Sequence, residues 1–171
     1  NVFMYHKYTG IILKKHPLGE ADELLTIFTK ETGKLRVKAR SVRKIKSRLA
    51  GHLQSLNEIE FETAGRSTRP LGADGLPVLV SVRSISLNNY LRENLKKFAY
   101  ALIGTETLYR LAADGQENPQ AYIFLQDFLK ELGLSSQENL CLRKFQLKLL
   151  QIMGFGMDLN GINLAQDIFG E

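Results

Sequence analysis

The stretch KLRVKARSVRKIKSR, residues 34–48, combines a strand pattern with a dense run of positive charge. In its first half, the apolar residues Leu35, Val37 and Ala39 separate four cations, namely Lys34, Arg36, Lys38 and Arg40. A period of two residues is typical of a strand with one face in a core and the other in water. The pattern therefore predicts a strand whose four cations share one solvent-facing side.

The second half of this window loses the alternation and keeps the charge. Its cations are Arg43, Lys44, Lys46 and Arg48, and no Asp or Glu occurs between Glu31 and Glu58. The eight cations exceed the net charge of +5, so the rest of the chain sums to −3 (5 minus 8). A fixed basic row that continues into a mobile loop favours an extended polyanion as ligand. The alternative is a solvated edge strand whose lysines deter aggregation.

Length and composition set the outer bounds. At 171 residues with 44% hydrophobic content, the chain can form one domain or two small ones. No apolar run approaches the ~20 residues of a membrane span, and no secretory signal begins the chain, which predicts a cytoplasmic protein. Cys141 cannot form an internal disulfide and is expected to be buried.

Four further segments have strand patterns, at residues 8–15, 23–29, 57–63 and 78–85. A turn at residues 30–33 predicts a hairpin between the second strand and the basic strand. Glu58, Glu60 and Glu62 alternate with apolar residues, so we expect an acidic outer face that repels a nucleic-acid backbone. Five short strands without an intervening long helix predict a small closed barrel or sandwich.

Near residue 86 the apolar period changes to three and four residues, which indicates helices. The first is predicted as one long helix that ends before Gly115. Its buried face comprises Leu91, Leu95, Phe98, Leu102, Thr105, Tyr109 and Ala112. This change of period predicts a domain boundary near Ile85, with domains at residues 1–85 and 86–171.

Two more helices follow in the sequence. One is predicted to begin at Asn118 with Pro119 in its first turn and to end at Gly133. The next is predicted to open with a capping box formed by Ser135 and Glu138. The tail after Met157 is weakly patterned.

Signatures of catalysis and metal binding are missing from the sequence. His6, His16 and His52 lack metal-ligand spacing, and neither a Cys pair nor an HExxH motif occurs. Gly33-Lys34 is followed by Leu35 and not by Ser or Thr, so this segment does not match the phosphate-binding P-loop. The sequence therefore predicts no enzyme, no metal site and no cofactor.

The segment GEADELLTIFTKETGKLRVKARSVRKIKSRLAGHLQ, residues 19–54, resembles the N-terminal domain of the RecO family of bacterial recombination mediators. The similar elements are Gly19-Glu20-Ala21-Asp22, Phe28-Thr29, Gly33-Lys34-Leu35-Arg36, residues 44–51 and Leu53-Gln54. A second match resembles that family's helical domain and comprises Leu142-Arg143-Lys144-Phe145, Leu149, Leu150 and Gly154-Phe155-Gly156. The resemblance covers roughly residues 8–160. It implies an α+β protein with a five-stranded OB-fold β-barrel followed by an all-α helical domain.

Two departures from the family pattern stand out. Where the family usually has a Gly-Ala pair before its arginine, this chain has Ser41-Val42-Arg43, which changes the residues available for a turn with positive φ. Many members also carry a four-cysteine zinc element after an Asn-Gly pair, whereas here Ile162 follows Asn160-Gly161 and no cysteine comes later. Members usually run some tens of residues longer, so the chain is expected to be a truncated or a shortened relative.

The resemblance implies a DNA-binding recombination mediator in the cytoplasm, associated with the nucleoid. Such a protein binds single- and double-stranded DNA, promotes annealing and assists recombinase loading. The implied partners are a RecR-like protein, single-strand-binding protein and, indirectly, a recombinase filament. No membrane partner is implied.

On the residues alone, the mechanism is neutralisation of two phosphate backbones by one basic face. The expected DNA-binding residues are Lys34, Arg36, Lys38, Arg40, Arg43, Lys44, Lys46 and Arg48. Tyr8 could stack on bases, whereas Phe28 is expected to fill the barrel core. Residues 86–171 have no excess of bases over acids, so we expect that half to bind protein. A protein-interaction adaptor and an OB-type RNA-binding protein remain alternatives.

Overall fold

A computed structural model of the chain describes residues 3–43, 49–66 and 75–155, apart from the side chains of Phe3 and Arg66. Five strands come first, namely β1 (Phe3–Leu18), β2 (Asp22–Thr29), β3 (Gly33–Ala39), β4 (Glu58–Arg66) and β5 (Val78–Ser86). The helices that follow within this part of the chain are α1 (Asn89–Arg92), α2 (Leu95–Leu111), α3 (Pro119–Leu134) and α4 (Glu138–Ile152). The predicted α+β class is confirmed.

The strands close into a barrel in the order β1-β2-β3-β5-β4. Strand β1 makes this closure possible because its first half pairs with β4 and its second half pairs with β2, both antiparallel. It begins well before the predicted residue 8. The remaining seam is between β3 and β5, which run parallel at Lys38 and Val78. At Gly10, a Cβ would lie 2.6 Å from Ile27 Cγ2, so only glycine lets the two strands approach this closely.

Two apolar clusters organise the interior. One fills the barrel and is formed by Ile12, Leu25, Ile27, Val37, Ala39, Val42, Leu53, Ile59, Phe61 and Leu79. The other lies between the helices and includes four residues that come from the barrel segment, Ile11, Leu13, Phe28 and Leu56. Phe28 therefore packs with the helices, and its expected place in the barrel core is wrong. Its strand presents alternate residues to opposite sides, and Phe28 lies on the outer side.

The predicted long first helix is interrupted. Helix α1 ends at Arg92, and α2 begins only after Asn94, whose Oδ1 accepts a hydrogen bond from the Lys97 backbone N–H at 3.1 Å. An N-cap of this kind stabilises a new helix start at the expense of a continuous one. The break rotates the two apolar stripes relative to each other, so Leu91 is buried while Leu95 is 82% exposed. Leu102, also predicted to be buried, is exposed.

The predicted start of α3 is confirmed, whereas the predicted start of α4 is not. Asn118 caps α3 by accepting the Ala121 N–H at 3.0 Å, with Pro119 in the first turn as predicted. The capping box is wrong, because Ser135 is the C-cap of α3 and Glu138 lies 2.8 Å from Lys96 of α2. Cys141 is buried, as expected. No helix in the described ranges is long and apolar enough to cross a membrane.

Polar contacts join the helices to the barrel. Arg92 donates to the Ser55 and Leu87 carbonyl oxygens and to Asn57 Oδ1 at 2.8 Å. Asn88, at a φ of 48°, donates through Nδ2 to the Leu56 carbonyl oxygen at 2.7 Å. The bonds to residues 55 and 56 satisfy backbone carbonyl groups just before β4, and together these contacts hold the start of the helices against the barrel.

Close packing in the helical core gives the first test. A Cβ at Gly104 of α2 would lie 2.3 Å from Phe128 Cε1, and Phe128 is stacked on Phe145 with ring centroids 4.4 Å apart. Overpacking costs about 1–3 kcal/mol, against a gain of about 1 kcal/mol in helix propensity. We expect Gly104→Ala to lower the free energy of unfolding by up to about 2 kcal/mol in a urea titration.

The matched control is Gly51→Ala. Gly51 is exposed, and an added Cβ meets no atom within 4 Å. Its free energy of unfolding should be unchanged or slightly raised. Equal effects of the two substitutions would contradict the packing argument.

Candidate nucleic-acid interface

Strand β3 arranges the basic residues as its alternation predicts. Leu35, Val37 and Ala39 belong to the barrel interior or pack against it, so the residues between them project from the outer side. The described residues include five of the predicted cations, Lys34, Arg36, Lys38, Arg40 and Arg43. The other three, Lys44, Lys46 and Arg48, lie outside the described residues. The five described cations have unequal surroundings.

Lys34 is used inside the protein. Its side chain is only 12% exposed, and its Nζ donates to the Tyr109 carbonyl oxygen at 2.9 Å. The same ammonium lies 4.8 Å from the centroid of the Tyr109 ring and 3.1 Å from Asp114 Oδ1. A lysine with so many partners holds α2 against the barrel and is poorly placed to receive a ligand.

Arg36 shares the Asp114 carboxylate with Lys34. Its Nη2 lies 2.5 Å from Asp114 Oδ2, and its side chain is 54% exposed. Partial burial acts to raise the pKa of Asp114, but hydrogen bonds from Lys34 and Arg36 hold that pKa below its ordinary value. The carboxylate is therefore a stable anion in the middle of the basic row.

Lys38 has a second carboxylate beside it. Its Nζ lies 3.1 Å from Asp22 Oδ2, while Asp22 Oδ1 accepts the Ser41 backbone N–H at 2.8 Å. The bond from Ser41 and then the contact with Lys38 lower the pKa of Asp22. Ser41 adopts a φ of 57°, so the turn keeps the left-handed geometry that glycine favours, supported here by the Asp22 side chain.

Arg40 and Arg43 are exposed beyond the end of β3. Arg43 donates through Nη1 to the Gly19 carbonyl oxygen at 2.9 Å and through its backbone N–H to the Ala21 carbonyl oxygen at 3.0 Å. These bonds bring the turn after β3 against the turn between β1 and β2. Arg40 has no ion-pair partner within 4 Å among the described residues, and its charge acts at longer range on Asp22, whose pKa it helps to lower.

Strand β1 adds to the same outer face. The register pairs Lys14 with Thr26 and Thr26 with Arg36, and it pairs His16 with Leu24 and Leu24 with Lys38. His16 is exposed, whereas Lys14 is 2.5 Å from Glu106 and 4.1 Å from the Tyr109 ring centroid. Sequence reasoning missed these neighbours, although the alternation of Lys14 and His16 in β1 was a usable signal.

The far side of the barrel is mixed in charge, and the expected acidic face is wrong. Glu60 lies between Lys7 at 3.2 Å and Arg83 at 3.1 Å, contacts that lower its pKa. Glu62 accepts a hydrogen bond from Ser81 at 3.1 Å, and Glu58 turns toward α3. The neighbouring strands β1 and β5 supply the bases beside Glu60. The outer face of β4 therefore has less uncompensated negative charge than its three glutamates indicate.

The positions of Phe28 and Tyr8 do not support stacking of these side chains on bases. Phe28 is fully buried, and Tyr8 is partly buried with its ring centroid 5.5 Å from that of Phe61 in the barrel core. In the described part of the chain, no group of three or more His, Cys, Asp or Glu residues could hold a metal ion. The arrangement offers a polar, cationic surface for anions.

Two family models match this chain in sequence. Residues 4–73 match the model described as "Recombination protein O N terminal", and residues 92–161 match "Recombination protein O C terminal". The first covers all the described β3 cations, and the second begins at Arg92.

Three curated relatives are named DNA repair protein RecO. The DNA repair protein RecO of Dehalococcoides mccartyi strain CBDB1 is 34% identical over 153 residues, which cover 90% of this chain and 58% of that protein. The DNA repair protein RecO of Roseiflexus sp. strain RS-1 is 32% identical over 88% of this chain and 50% of its own length. The Bacillus subtilis strain 168 protein of that name is 31% identical over 92% of this chain and 59% of its own. The chain thus spans between half and three fifths of these relatives.

The Asp22 contacts predict a pH dependence of stability. Because the folded-state pKa of Asp22 is lowered, its contribution to stability is present above the ordinary carboxyl pKa of about 4 and is lost as pH falls through the folded value. We expect Asp22→Asn to lower the melting temperature at neutral pH and to reduce the fall in melting temperature below about pH 4. Thermal melts between neutral and acidic pH measure both effects.

Asp127→Asn is the control for this prediction. Asp127 is exposed on α3 and has no ion pair within 4 Å among the described residues. Its substitution should leave the acid limb of the melting curve like that of the parent. Coincident curves for the parent and Asp22→Asn would show that the Asp22 contacts add nothing to stability.

Proposed function

This chain belongs to the RecO family of DNA repair and recombination proteins, and from that premise we propose that it binds DNA through the outer face of β3. It takes single and double strands and promotes their annealing without catalysing a chemical reaction. The observation that carries the proposal is the cationic row of Arg36, Lys38 and Arg40, with Arg43 beside it. Arg36 and Lys38 are about 6.6 Å apart along the strand, and Arg40 follows just after its end.

The barrel supports this proposal because its strand order fits an OB-fold. In OB-folds, the face of strands 2 and 3 and the loop between strands 1 and 2 bind oligonucleotides. The β3 cations lie on that face, and Arg43 is bonded to Gly19 in the turn between β1 and β2. We therefore assign residues 1–85 to an OB-type DNA-binding domain and residues 86–171 to a helical domain.

Charge neutralisation is the proposed mechanism of annealing. Two DNA strands repel each other through their phosphates, and a basic surface that contacts both lowers this repulsion. Arg36, Lys38 and Arg40 guide one strand along β3. Arg43, together with the charges of Lys44, Lys46 and Arg48, attracts the second. By this route the protein assists recombinase loading in the cytoplasm, at the nucleoid, with a RecR-like partner.

A groove beside α3 fits the acidic, apolar-ended tail of single-strand-binding protein. It has a volume of about 340 Å³ and is lined by Tyr90, Lys130, Gly133 and Leu134. Leu134 is 91% exposed, and Lys97 donates to the Gly133 carbonyl oxygen, which brings a second ammonium close to the groove. Exposed apolar surface flanked by two cations complements a peptide that ends in apolar residues after acidic ones.

Replacing the cations of the segment after β3 tests the annealing proposal. We expect a variant with Arg43, Lys44, Lys46 and Arg48 changed to Ala to anneal complementary strands more slowly. For the parent, engagement of four to six phosphates gives a slope of log affinity against log salt of about −3 to −4 on single strands. The variant should have a flatter slope. Its melting temperature should fall only as far as loss of the single side-chain hydrogen bond from Arg43 to the Gly19 carbonyl oxygen accounts for.

The charge-matched control changes Arg110, Arg143, Lys144 and Lys148 of the helices to Ala. It removes the same number of cations and should leave annealing near the parental rate. RNA of the same sequence and an acidic peptide, compared with DNA at one salt concentration, test the alternatives. Preference for RNA or for the peptide would replace the DNA proposal, and equal annealing by both quadruple variants would refute the role of this segment.

The groove is tested in the whole chain, because the helices share their core with Ile11 and Phe28 of the barrel. We expect Leu134→Asp to weaken binding of the single-strand-binding protein tail peptide at least tenfold, through lost apolar contact and added repulsion. Ile123→Asp, on an exposed apolar position of the same helix, is the control and should bind normally. Calorimetry measures both, and an equal loss in the two variants would argue against this groove.

A further inference from the structure

Asp114 occupies a position in the basic row where a phosphate would be expected. We propose that this carboxylate binds Arg36 in the unbound protein, at the position that a DNA phosphate occupies in the complex. When nucleic acid binds, a phosphodiester replaces Asp114 as the partner of Arg36. The inference rests on the proposed DNA-binding function of β3. It adds a competing residue from the helical half of the chain.

The backbone around Asp114 is fixed on β3. Gly115, which follows it, donates its N–H to the Lys34 carbonyl oxygen at 2.9 Å, and Asp114 forms a parallel bridge with Lys34. A Cβ at Gly33 would lie 1.9 Å from the Gln116 carbonyl oxygen, so the two segments are in direct backbone contact. Gly33 also has a φ of 69°. The carboxylate is therefore held against the row by the fold, and its contact with Arg36 is not a chance meeting of two flexible side chains.

Because of Lys34, the Asp114 carboxylate keeps a cationic partner when Arg36 leaves it. It remains tied to the Tyr109 carbonyl oxygen and lies 3.1 Å from Asp114 Oδ1. When Arg36 turns to a phosphate, Asp114 keeps one cationic partner and forms a neutral pair with Lys34. A carboxylate with Arg36 as its sole partner would lose all compensation in the same step, which would oppose the exchange.

The exposed fractions of the side chains indicate which of the two cations a phosphate can reach. The Arg36 side chain is 54% exposed and that of Asp114 is 42% exposed, whereas Lys34 is 12% exposed. A phosphate can therefore approach Arg36 and is largely kept from Lys34. The guanidinium group favours bidentate binding of phosphate oxygens, and Asp114 engages one of its donors, Nη2, in the unbound protein. The negative charge of Asp114 also repels an incoming phosphate.

The test uses the full chain and a labelled single-stranded oligo(dT), with four variants compared by fluorescence anisotropy at several salt concentrations. These are Asp114→Asn, Arg36→Ala, their combination and Glu117→Gln. We expect Asp114→Asn to tighten binding about threefold to tenfold at low salt, as for one exposed charge at short range. The salt slope should steepen by up to about 0.7, the contribution of one further phosphate contact.

Two comparisons separate the exchange from a general charge effect. Glu117 is an exposed acid three residues after Asp114 and has no ion pair within 4 Å among the described residues, so Glu117→Gln removes the same charge without releasing Arg36. It should change affinity by less than twofold. In the Arg36→Ala background, the gain from Asp114→Asn should shrink to less than twofold, the size of the general charge effect, since coupled residues are non-additive.

The outcomes distinguish this inference from the proposed function. If the parent binds oligo(dT) and Asp114→Asn binds no better, or gains equally without Arg36, the exchange is wrong and DNA binding stands. If neither the parent nor any variant binds oligo(dT), the proposed function fails and the inference fails with it. Should Asp114→Asn melt far below the parent, Asp114→Ser supplies the same neutralisation with a smaller side chain, and the same criteria apply.

Discussion

Burial of an apolar patch on the outside of the barrel sets the arrangement of the whole molecule. Ile11 and Phe28 project away from the barrel interior and would be exposed without the helices that cover them. Removing such side chains from water is the dominant favourable term in folding, so the helices must lie on this side of β1 and β2. The register pairs Phe28 with Lys34. The edge of the covered patch therefore falls within the basic row and divides it into an interior and an exterior part.

That division changes the electrostatics of the row. Lys34 is drawn into the contact between barrel and helices, and Asp114 follows α2 into the space beside it. Two carboxylates, Asp114 and Asp22, offset three of the cations on β3. The field available to a ligand is therefore weaker and more localised than a count of lysines and arginines indicates. Arg40 and Arg43, where the turn between β1 and β2 meets the end of β3, form no ion pair within 4 Å among the described residues.

Polar contacts also connect the barrel with the helices. Glu58 of β4 accepts hydrogen bonds from Tyr122 at 2.7 Å and from Gln126 at 2.6 Å. Burial and the Glu58 bond raise the pKa of Tyr122, so its hydroxyl remains a donor. A satisfied network of this kind specifies one relative placement of the two halves. The barrel and the helices also share an apolar core. The groove beside α3 and the outer face of β3 therefore belong to one folded unit.

The sequence by itself determined the class of each segment, the positions of the five strands and the family. Period-two alternation in β3 and period-four stripes in α3 and α4 are local properties, and the charge of residues 34–48 is a matter of composition. Tertiary structure alone decided what each cation does. The contacts of Lys34 and Arg36 with Asp114 join residues 80 and 78 positions apart, and the neutralisation of Glu60 depends on strand pairing. Likewise, Leu91 and Leu95 share one predicted stripe, yet the Asn94 cap and the packing of the helices bury the first and expose the second. Local pattern fixes which way a side chain can point, whereas only the packing of distant segments fixes what it meets there.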